Sequence, residues 1–132
     1  MPTPDFEHAA RSRAQEAACL AANGHLTGAV YLAGYVIECR LKAYLTFQNR
    51  PFPQSGARGH DLRALWEAAG FLAKDLSGFK RAFVDTWSTD IRYSTQLPSA
   101  HQPEDLLRAA QELAGFVAKR HAYRRCRRKG QP

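Results

Sequence analysis

Apolar positions recur three and four residues apart along most of this chain, and nowhere do they alternate for long enough to build a sheet. The first segment, about Phe6 to Ala22, has an Ala-rich helical composition and ends at Asn23-Gly24, a good helix stop. Thr27 is placed to cap a second helix, which runs toward Gln48 with no proline to interrupt it. NRPFPQSGARG, with two prolines and two glycines, then reads as a loop. Asp61 is a natural N-cap for a third helix, whose buried stripe is Leu62, Leu65 and Trp66 and which Gly70 can end. Leu76, Phe79, Phe83 and Trp87 stand at helical spacing in a further segment. The polar, turn-rich STDIRYSTQLPSAHQP separates it from a last helix, about Pro103 to Tyr123, with Pro103, Glu104 and Asp105 suited to a first turn. The predicted fold is all-α, an up-and-down helical bundle of about five helices.

One break in this pattern carries candidate chemistry. Wound as a helix, YLAGYVIECRLKAYL puts Tyr31, Gly34, Tyr35, Glu38, Leu41, Lys42 and Leu45 on one side, so an acid and a base interrupt an apolar stripe. Glu38 and Lys42 are four apart, acid first, the favourable order for a helical ion pair. They either lie on the wet margin of the stripe or face a polar cavity that draws partners from elsewhere in the chain, because charges are rarely buried unpaired.

Length and charge narrow the rest. The 132 residues suffice for one domain with a real core. No apolar run approaches the length needed to cross a bilayer and no signal core follows the N-terminus, so no membrane partner and a cytoplasmic location are expected. Three cysteines without metal spacing suggest no metal; Cys19 and Cys39 read as reduced packing residues. The net charge of +7 is not spread evenly: all 12 acids lie in residues 1–118 beside 12 Lys and Arg, while Lys119, Arg120, Arg124, Arg125, Arg127, Arg128 and Lys129 supply the whole excess. The chain therefore divides into a single helical domain over 1–118 and a basic tail over 119–132 that continues the last helix. Such a tail either suits the dipole of a frayed helix end or docks on phosphates.

Three stretches taken together, AVYLAGYVIECRLKAYL, GHDLRALWEAAG and DIRYS, resemble in order and content the HEPN family, the higher eukaryote and prokaryote nucleotide-binding domain. The resemblance covers about residues 8 to 118. It implies a helical bundle that commonly forms a homodimer, often paired with a minimal nucleotidyltransferase in a toxin–antitoxin module or acting in phage defence or RNA processing. Active relatives are metal-independent endoribonucleases carrying an Arg, four to six residues, then a His. In this chain none of His8, His25, His60, His101 and His121 follows an arginine at that separation; the nearest pair is Arg92 and His101, with eight residues and Pro98 between. An RNA- or nucleotide-binding module without a cofactor is the expectation, and an endoribonuclease using Arg92 with His101 or His60 is the alternative.

The resemblance also names partners for the interrupted stripe. Glu38 is expected to accept from Arg92, Tyr93 or His60, with Lys42 near Asp61 or a loop carbonyl, stapling a long loop to the bundle. The functional alternative has Lys42, His60, Arg92 and Tyr93 lining an anion site, with Arg120, Arg124, Arg125, Arg127 and Arg128 adding phosphate affinity.

Overall fold

The computed structural model describes residues 4–53, 57–94 and 101–130. Five α-helices occupy them: α1 (Phe6–Ala22), α2 (Leu26–Phe47), α3 (Leu62–Ala68), α4 (Gly78–Thr86) and α5 (Pro103–Lys129). Short 3₁₀ turns at Ala57–His60, Ala73–Asp75 and Thr89–Tyr93 join them, and no strand occurs among the described residues. The all-α expectation therefore holds. The polar segment before α5 is described only as far as Ser94 and again from His101, so Pro98 lies outside the described residues.

Local chemistry explains where the helices begin and end. The Asp5 carboxylate accepts the His8 N–H at 3.0 Å and opens α1; the Asp61 carboxylate accepts the Ala64 N–H at 3.1 Å and opens α3, as its position in the sequence predicts. Thr27 is not the cap of α2: His25 stands at that position and Thr27 falls inside the first turn. The helix starts earlier because the preceding one ends so tightly. Gly24 takes φ +80°, and the N–H of His25 reaches back to the Leu20 carbonyl at 2.8 Å, leaving no residues for a longer connection. Asn49, at φ 56°, ends α2 in the same way, with the Arg50 N–H on the Leu45 carbonyl at 3.0 Å.

α2 is the central element, with α1 and α5 along it and α3 against it, while α4 packs on α5. Ile37, Leu41, Tyr44 and Leu45 of α2 meet Leu62 and Leu65 of α3, Phe83 of α4 and Leu113 and Val117 of α5 in one core. The stripe predicted for α4 is only partly correct. Phe83 and Trp87 are buried, but Phe79 is exposed and packs edge-on against His101, 5.1 Å between ring centres. α4 begins at Gly78 and Trp87 leaves it in an extended conformation, so the four residues do not share one helix face. Trp87 instead lies over Gly34, where an added Cβ would stand 1.9 Å from the ring, and its indole N–H donates to the Tyr31 carbonyl at 3.0 Å.

Candidate functional site: a pinned carboxylate and a basic groove

Glu38 and Lys42 project from the middle of α2 and are 5% and 3% exposed, so the pair is buried and does not lie on a wet margin. Lys42 Nζ meets Glu38 Oε2 at 3.1 Å, and the Phe6 ring of α1 covers the same ammonium at 5.9 Å. The other carboxylate oxygen, Oε1, accepts from His60 Nδ1 at 2.7 Å. Two donors thus converge on one carboxylate, which offsets part of its desolvation. The contact spans 22 residues of sequence and holds the turn before α3 against α2. Of the three expected partners His60 is the one that reaches Glu38, whereas Lys42 does not sit near Asp61 or a loop carbonyl as expected, because the Glu38 carboxylate one turn away on the same helix takes it. Beside it, burial and the Glu38 charge push the Cys39 thiol up to about 11, an inert packing thiol. Cys19, expected to pack, is exposed on α1.

Arg92 and Tyr93 do not reach Glu38. Both are exposed in the last 3₁₀ turn, Tyr93 at 77%, with the Arg92 guanidinium 4.7 Å from the Tyr93 ring. The phenols of Tyr93 and Tyr31 raise its already high pKa further. Arg92 thus borders a patch in which Tyr31 and Tyr35 share a 3.1 Å hydroxyl contact, Tyr35 stands edge-on to His60 at 5.8 Å and Tyr35 meets Trp87 at 5.2 Å. Burial, and then the Tyr31 hydroxyl, raise the Tyr35 pKa, so its phenol stays protonated. His60 is about one-third exposed, and the Glu38 carboxylate on Nδ1 fixes the orientation of its ring. His60 and Arg92 therefore share one patch, whereas His101 lies at the junction of α4 and α5 against Phe79. Lys42, buried under Phe6, is removed from this surface, and Asp61 is spent on its helix cap.

The basic residues gather at the other end of α2. α5 runs unbroken to Lys129, and Arg120, Arg124, Arg127 and Arg128 line a groove of about 410 Å³ with Tyr123, Phe47 and Gln48. Arg128 lies 4.0 Å over the Phe47 ring and donates to the Phe47 carbonyl at 3.4 Å, and Arg127 donates to the Tyr123 hydroxyl at 3.2 Å. No acid lines the groove. Arg125 points elsewhere: it is paired with Glu7 of α1 and donates to His121 Nε2 at 2.9 Å. The packed body thus extends past Ala118, since His121 is 5% exposed between Tyr44 and Phe47.

The chain matches no protein-family profile, curated protein or solved structure. Its chemistry is therefore read from these two surfaces. Among the described residues no group of three or more His, Cys, Asp or Glu is placed to hold a metal, and no helix is long and apolar enough to cross a membrane. Phe47, Gln48 and Tyr123 are the groove residues that sequence reasoning missed; the signal for the first two was only an aromatic at a helix end, which α5 reaches. Tyr123, interleaved among the arginines, carried a clearer one.

Proposed function

We propose that this protein is a HEPN-like helical module that binds RNA through the arginine groove of α5 and the end of α2. The observation that carries the reading is four guanidinium side chains converging with two aromatic rings on a groove that no acid lines. Guanidinium groups match phosphate geometry, and the exposed Tyr123 ring offers a face to an unpaired base. A helix end needs far fewer cations to complement its dipole. The resemblance to the family supplies the rest of the reading: a homodimer working in a toxin–antitoxin or defence setting with a minimal nucleotidyltransferase partner.

The test is the salt dependence of binding to a labelled single-stranded RNA. Four phosphates neutralised on a single strand correspond to a log–log slope of about −3. Arg124→Gln lowers that slope by somewhat less than one unit, whereas a flat salt profile rules the groove out.

A second reading rests on the dyad. In it His60, oriented by Glu38 on Nδ1, would serve as the general base, and Arg92, beside the same tyrosine patch, as the cation for charge developing on a phosphate. Metal-independent RNA cleavage would use that pair. Purified protein incubated with total RNA decides it: cleavage abolished by both His60→Ala and Arg92→Ala supports the enzyme, and intact RNA with bound complex supports the binding module.

A further inference from the structure

A second pocket adjoins the groove and shares a wall with it. Trp66 of α3, Phe71 and Leu72 of the following loop, and Leu113 and Phe116 of α5 line a pocket of about 410 Å³, and Arg120, already in the groove, closes one side. Its aromatic rings are close and mutually inclined: Trp66 to Phe71 at 4.8 Å, Phe71 to Phe116 at 5.1 Å and Trp66 to Phe116 at 5.7 Å. Phe116 is 46% exposed and Leu72 more so, an apolar lip that the bundle does not cover. On the far rim Lys80 and Glu112 neutralise one another at 3.4 Å. Asp75 also lines the pocket, so the pocket's own charges balance, and the excess positive charge begins at Arg120 and continues along α5 into Arg124 and Arg127.

We propose that this pocket takes one unpaired nucleobase of the RNA whose phosphates lie on the arginine groove. The proposal rests on the RNA-binding reading and deepens it into a preference for single strands. Three features select that occupant over an apolar protein segment. Three aromatic rings line the pocket, and Phe116, half exposed at the lip, offers a face to a base. The pocket's own charges balance, but Arg120 joins it to the arginine groove, so an occupant whose attached anion lies on that groove is favoured over a neutral one. Phe116 and Arg120 are also one helical turn apart, about 6 Å along the axis, the scale of the step from a base to its own phosphate. A base held in a duplex cannot enter, because its faces are already stacked.

Fluorescence anisotropy of the full chain with a labelled single-stranded RNA and a hairpin duplex of equal length tests this. Phe116→Ala should weaken single-strand binding about 5- to 100-fold, as loss of one stacked base does, and leave duplex binding within about two-fold. Phe116→Trp should restore the preference, and wild-type tryptophan fluorescence should be quenched by the single strand alone. Because Phe116 is half exposed, circular dichroism of Phe116→Ala should match wild type. Unchanged or equal weakening for both RNAs overturns the pocket while the groove reading stands. Absence of binding by the wild-type chain to either RNA overturns both.

Discussion

Glu38 is tolerated in the core only because Lys42 and His60 occupy its two oxygens, and that dependence is measurable. Glu38→Ala should cost about 3–5 kcal/mol in chemical denaturation, since it strands the buried Lys42 ammonium. The double variant Glu38→Leu with Lys42→Met should recover much of that loss, because an apolar pair of similar volume needs no compensation. Denaturation midpoints of the double variant no higher than those of Glu38→Ala would sink this account. Gly34→Ala is the second residue-scale expectation: the methyl collides with Trp87, and overpacking of this kind costs about 1–3 kcal/mol. The pair itself was legible from its four-residue spacing. Its depth was not, because periodicity marks a face of a helix and says nothing of what covers that face. Here the cover is Phe6, brought from α1.

At the scale of elements, α1 and the end of α5 are held together by a clasp of Glu7, His121 and Arg125. Burial first, then the Arg125 charge, hold the His121 pKa below its ordinary 6.5; the Arg125 hydrogen bond holds the Glu7 carboxyl below its ordinary 4.5. A histidine whose folded pKa is depressed binds its proton more readily when unfolded, so its share of stability fades as pH falls through 6.5 toward the folded value. The Glu7 share is present above 4.5 and fades as pH falls through its own lowered value. Both act in one direction, and acid should loosen the clasp. Thermal melts from pH 7.5 to pH 4 should show a falling midpoint, and Glu7→Gln should flatten the lower limb of that profile; an unchanged profile in the variant would place the acid sensitivity elsewhere. The clasp was invisible in the sequence because its partners are 118 residues apart. The helices carrying it were legible: α1 from its Ala-rich composition and Asn-Gly stop, α2 from its long proline-free run, α5 from its Pro-Glu-Asp opening, and Asp61 announced α3. The α4 stripe misled because Trp87 continues the helical spacing after the backbone has left the helix.

Over the whole molecule, the excess positive charge is one feature of the sequence that divides into two roles in the fold. Arg125, with His121, belongs to the packed body, while Arg120, Arg124, Arg127 and Arg128 face the groove. Charge counting located the excess, yet it could not sort the arginines, because the sorting depends on where Glu7 and Phe47 meet α5. Two truncations separate the roles. A chain ending after Ala118 loses His121, Arg125 and all four groove arginines; it should lose about 2 kcal/mol of stability, a fall of roughly 5–10 °C in Tm, together with RNA binding. A chain ending after Arg125 keeps the clasp along with Arg120 and Arg124. Its Tm should stay near that of the full chain while its salt slope falls by about 1.4, the share of two phosphates on a single strand. Equal Tm losses in the two truncations would mean that Arg127 and Arg128, through Phe47, hold the fold as firmly as the clasp does. Equal retention of binding would mean that the phosphates lie on another face, with Arg92 and the tyrosine patch as the remaining cationic surface to test.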